Sequence, residues 1–121
     1  MDILNDRESC LLRYRIRDSE KIVVLEPKSP CFFLRRDNTS PQVFRYPELG
    51  GKTVMIVAGT AASADKQKRW NLPENFTCGT ERQGIVIARG SVMATKRTLR
   101  GGIACKDKGA DEKDFRMFAL E

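Results

Sequence analysis

The chain has 121 residues, 22 of them Lys or Arg and 16 Asp or Glu, for a net charge of +6. That is the length of one ordinary domain, and the longest strongly apolar run, Val54 to Ala58, falls far short of the roughly 20 residues of a membrane helix. Histidine is absent, which excludes Ser-His-Asp and Cys-His catalysis, histidine-assisted ribonuclease chemistry and every histidine-bearing zinc site.

Residues 1–121 are therefore expected to form one soluble domain with no membrane association and no cofactor. The four cysteines, Cys10, Cys31, Cys78 and Cys105, stand singly, with no pair at metal-ligand or redox spacing. The first eight residues are acidic and lack the basic start and apolar run of a secretory leader. Together these features read as a cytoplasmic protein whose cysteines are thiols, each acting as a small buried hydrophobe.

From Cys10 to Arg17 the chain alternates, with Arg13, Arg15 and Arg17 on one face of a strand and Leu12, Tyr14 and Ile16 on the other. A turn at Asp18-Ser19 leads to Ile22-Val23-Val24-Leu25, expected to be a hairpin partner buried on both faces. Cys31 to Arg36 and Gln42 to Tyr46 read as two further strands separated by the turn-forming run Asp37 to Pro41. Thr53 to Ala58 has the composition of a central strand.

Ala61 to Trp70 favours helix, with Thr60 or Ser63 as cap, Pro73 as limit and Trp70 expected to anchor it to the sheet. Beyond it, a short strand at Phe76 to Cys78, a clear one at Gly84 to Arg89, another at Ser91 to Arg100 and a last short one at Ile103 to Cys105 are expected. The basic and apolar residues of Ser91 to Arg100 intermix on a helical wheel, and Val92, Thr95 and Thr98 are β-branched, which favours strand over helix there. Lys106 to Asp114 reads as a charged surface turn, and Phe115 to Leu120 as a closing extended segment with Phe115 and Met117 on one face. The fold class is α+β and β-dominated: a mostly antiparallel sheet or partly open barrel of about seven to nine short strands with one or two helices.

Local motifs carry little chemistry. Gly51-Lys52-Thr53 lacks the earlier glycine and the following helix of a phosphate-binding loop. Asn38-Thr39-Ser40 and Asn75-Phe76-Thr77 fit the glycosylation tripeptide by composition alone. Asp107, Asp111, Glu112 and Asp114 lack the ligand alternation of a calcium loop.

Charge is more informative. Arg82, Arg89, Lys96, Arg97, Arg100, Lys106 and Lys108, set against Asp107, concentrate the whole +6 in residues 82–108. Arg13, Arg15 and Arg17 offer a second basic row. Arg13, Arg15, Arg17, Arg82, Arg89, Lys96, Arg97 and Arg100 are therefore the candidate contact residues. The expected function is a non-enzymatic binding or accessory role through contact with another protein or with a second copy, as in a homodimer. Single-stranded RNA or DNA is the alternative ligand, with Tyr14, Phe33, Tyr46 and Trp70 beside arginines to stack on bases. An enzyme is the remaining alternative, with Cys78, Cys105 or Glu81 as its reactive group.

Overall fold

A computed structural model describes residues 1–121 as eight strands, two α-helices and one 3-10 turn. The strands are β1 (Asp2–Asp6), β2 (Ser9–Ile16), β3 (Ser19–Lys28), β4 (Phe32–Phe33), β5 (Phe44–Tyr46), β6 (Lys52–Ala61), β7 (Cys78–Ala88) and β8 (Ser91–Cys105). The helices are α1 (Ala64–Arg69) and α2 (Glu112–Ala119). All strand pairings are antiparallel, in a three-stranded sheet of order β1-β2-β3 and a five-stranded sheet in which β4 and β5 share one edge of β6, followed by β7 and β8. The domain is α+β and β-dominated as expected, with two open sheets and no closed barrel.

Three layers result, because β6 is apolar on both faces. Val54, Ile56 and Ala58 point to one core with Phe115, Phe118 and Ala119 of α2. Met55 and Val57 point to a second core with Leu12, Leu25 and Ile85, beneath the three-stranded sheet. β2 obeys its alternation: Cys10 and Leu12 are buried while Arg15 faces water.

Five expectations need correction. Ile22–Leu25 is not buried on both faces; Ile22 and Val24 are 54% and 68% exposed, because the three-stranded sheet covers its neighbour with one face and leaves the other to solvent. Residues 115–119 are helical, with Asp111 capping α2 through the Lys113 N–H and Phe115, Phe118 and Ala119 forming its buried stripe. The four short strands expected between Phe76 and Cys105 are two long ones, β7 and β8, and residues 2–6 add an edge strand outside the expected elements. Trp70 is 54% exposed and does not anchor α1 to the sheet; the buried Gln67 ties the helix to the loop that follows, donating from Nε2 to the carbonyls of Pro73 and Phe76.

The fifth concerns the cysteines, which are bridged. Cys10 pairs with Cys31, tying β2 to the segment before β4 and so one sheet to the other. Cys78 pairs with Cys105 directly across the ends of β7 and β8, with Cα atoms 4.0 Å apart. Their separations of 21 and 27 residues hid them, since only the strand register brings each pair together.

Candidate functional site

Two hairpins turn at the same end of the molecule. β2 and β3 are joined by Arg17-Asp18 between the paired Ile16 and Ser19, and β7 and β8 by Arg89-Gly90 between the paired Ala88 and Ser91. Between these turns lies a cleft of about 670 Å³ with Ile16, Ile87 and Val92 as apolar lining and Arg15, Arg17, Lys21 and Arg89 around it. Ser19 and Gly90 complete the wall, and no carboxylate lines it.

None of these four cations takes part in an ion pair; the pairs of the molecule use Arg13, Arg35, Arg100 and Arg116. Arg17 and Arg89 have φ of 56° and 51°, a left-handed conformation that costs a side-chain-bearing residue roughly 1 kcal/mol and that glycine adopts freely. Arg7 does the same in the β1–β2 turn, outside the cleft, so the conformation alone does not mark the site.

The eight sequence-derived candidates divide. Arg15, Arg17 and Arg89 converge in the cleft, joined by Lys21, which lies opposite Tyr14 in the hairpin, one residue before the apolar run that marks the strand in the sequence. Arg13 is neutralised: its Nη2 and Nε reach Asp2 at 2.7 and 3.1 Å, and Glu20 stands 3.9 Å away. The same hydrogen bond holds the Asp2 carboxyl below its ordinary range and raises the Arg13 guanidinium above its own.

Arg100 donates from Nε to Glu81 at 2.8 Å, and Arg82 donates to the Gly101 carbonyl at 3.1 Å. Lys96 and Arg97 lie elsewhere on β8, where their backbone N–H groups donate to the Glu121 carboxylate at 2.5 and 3.0 Å. The basic stretch is thus a sequence feature that the fold disperses.

Nor are the expected stacking aromatics assembled with the arginines of the cleft; Tyr46 lies instead beneath Arg116, its ring centroid 5.9 Å from the guanidinium carbon. Tyr14 and Phe33 pack against the core between the sheets, Tyr46 is buried under α2, and none of them lines the cleft. The groups considered for catalysis are engaged structurally. Cys78 and Cys105 are bonded to each other beside a cavity of about 410 Å³, and Glu81 accepts from both Arg100 and the Thr60 hydroxyl. The acids near the C-terminal helix are divided among separate partners: Asp107 with Arg35, Glu112 with the Tyr46 hydroxyl, and Asp111 as the cap of α2. No group of three or more Cys, Asp or Glu side chains is placed to hold a metal ion.

A second surface is apolar. On the outer face of the three-stranded sheet Leu4, Leu11 and Val24 lie side by side across the strands, with Ile22 in the next row beside Arg13. Val24 and Ile22 are the most exposed members of this face and belong to β3, an edge strand. On that edge the N–H groups of Glu26 and Lys28 are taken up by Gln83 Oε1 and Thr60 Oγ1 of the other sheet, at 2.8 and 3.0 Å. Strand alternation then aims the backbone N–H and C=O of Ile22 and Val24 outward from the same edge. Comparison of the chain with protein-family models, curated proteins and solved structures gives no match.

Proposed function

We propose that the protein is a non-enzymatic binding protein that docks an extended segment of a partner protein along β3. The observation that carries this reading is the exposure of Ile22 and Val24 on an edge strand, with Val24 in register with the apolar pair Leu4–Leu11. Covering what remains exposed of two such side chains is worth about 1–2 kcal/mol each, enough with a few backbone hydrogen bonds to hold a strand. Uncovered, the same edge invites unwanted pairing.

The partner's chemistry follows from what borders the edge. The outer-face neighbour of Ile22 is Arg13, already held by Asp2 and Glu20, so the charges beside the edge are balanced and a strand alternating apolar and polar residues complements the surface. Two copies of a chain of charge +6 would repel, which favours a different protein over a homodimer. The two disulfides favour an oxidising compartment over the reducing cytoplasm.

Selection of short displayed peptides on the immobilised protein tests the proposal. Sequences alternating apolar and polar residues should be enriched, should slow amide exchange at Ile22 and Val24 when bound, and should lose binding to the Ile22→Lys/Val24→Lys protein. Enrichment without that pattern, or binding unmoved by the double substitution, would sink the reading. A dimer seen by light scattering at micromolar concentration and abolished by the same substitutions would assign the edge to a second copy instead.

A further inference from the structure

We infer that the cleft between the β2–β3 and β7–β8 turns is a binding site for a compact anion carrying several phosphate groups. It lies at the turn end of the β2–β3 hairpin, beyond the row formed by Arg13 and Ile22. Four cations from both sheets, Arg15, Arg17, Lys21 and Arg89, surround one opening; none is within 4.0 Å of a carboxylate, the nearest acids in the hairpin being Glu20 across the strand from Arg15 and Asp18 in the turn. Like charges gathered at one place repel unless an anion sits among them, and guanidinium groups bind phosphate oxygens through paired, charge-assisted hydrogen bonds.

The confinement of the cluster selects the ligand. A nucleic-acid strand needs a track of cations following its backbone and aromatic faces for its bases. Here the other candidates do not extend the cluster into a track: Arg13 turns to Asp2, Arg100 to Glu81 and Arg82 to the Gly101 carbonyl, and Lys96 and Arg97 lie on β8 outside the cleft. Linked phosphates, as in tripolyphosphate, concentrate their charge within the span of one cleft.

The two turns also provide an unusually clean test. Arg17→Gly and Arg89→Gly each remove a charge from the cleft at a backbone position glycine occupies without strain, so the double variant should melt no lower than the parent. The matched control is Arg45→Ala/Lys113→Ala, two exposed cations outside the cleft. Tripolyphosphate titrated by calorimetry at low salt should bind one to one. The glycine variant should weaken it by about tenfold or more, and the control by less than about twofold.

Equal weakening in both variants would reduce the effect to net charge and overturn the site, as would a glycine variant that binds like the parent or a parent that shows no binding. Oligothymidine provides the other arm. If it binds more tightly than tripolyphosphate, with a salt slope steeper than the roughly 3 that four cations can give on a single strand, the ligand is an extended nucleic acid and the compact-anion assignment fails.

Discussion

The backbone N–H of Glu26 donates to Oε1 of Gln83 at 2.8 Å, joining the three-stranded sheet to the five-stranded one through a single side chain. Nε2 of the same buried amide donates to the Thr95 carbonyl at 2.6 Å, so Gln83 spans β3, β7 and β8. Both halves of the amide are used, one as acceptor and one as donor, which fixes the residue type.

Gln83→Leu should cost about 2–4 kcal/mol by leaving a buried donor and acceptor unmet. Gln83→Glu keeps the acceptor but turns a carboxylate oxygen toward the Thr95 carbonyl. Its buried carboxyl should be shifted upward and need a proton to donate, so this variant should regain stability as pH falls from 7 toward 5. Denaturant melts at the two pH values check this; a Glu variant equally stable at both would contradict the role.

Tyr46 provides an alkaline counterpart. Burial, and then the 2.5 Å hydrogen bond to Glu112, raise its phenol well above the ordinary value. A folded value above the unfolded one means stability fully present below about pH 10 and lost as pH rises beyond it. Tyr46→Phe should cost about 1 kcal/mol at pH 8, and the gap between the two proteins should narrow above pH 10. A gap of constant size would show that the phenol does not titrate with folding.

Gly84 on β7 faces Phe118 of α2 so closely that a Cβ would stand 2.7 Å from the Phe118 Cβ. Gly84→Ala should destabilise by roughly 1–3 kcal/mol through overpacking, and Phe118→Ala by about 3–5 kcal/mol through a cavity. The double variant should fall short of the sum, because Phe118→Ala removes the Cγ and Cδ1 atoms that a Cβ at position 84 would meet at 2.5 and 2.9 Å, leaving only the contact with its Cβ. Additive losses would mean that the two do not meet.

The disulfides predict that no thiol is alkylated in denaturant without a reductant. Removing either bridge as a Cys→Ser pair should cost roughly 3 kcal/mol, since each closes a loop of 21 or 27 residues in the unfolded chain. Four alkylated thiols under those conditions would refute both pairings.

What could be read from the residues was the part that local periodicity carries. The alternation of Cys10 to Ile16, the doubly buried run in β6 and the β-branched content of β8 each have one satisfactory placement. What escaped depended on partners distant in the chain. Ile22 and Val24 are as apolar as a buried strand, and only the absence of a layer outside the three-stranded sheet leaves them in water. α2 was legible in principle, because Asp111 precedes a stripe at Phe115, Phe118 and Ala119, but a six-residue window cannot separate that spacing from alternation. The basic stretch misled for a similar reason: proximity along β8 is not proximity in space, and Arg89 belongs with Arg15 and Arg17 instead of with Arg97.

β6 is a wall shared by two rooms. Its even-numbered residues close one core and its odd-numbered residues the other. If α2 detaches, the strand it uncovers is also the support of the opposite core. If the three-stranded sheet peels away, Met55 and Val57 are flooded on a strand that must still hold Phe115 and Phe118. Neither half can melt alone, so the molecule should unfold in a single step, with the amide protons of Val54 to Ala58 the last to exchange.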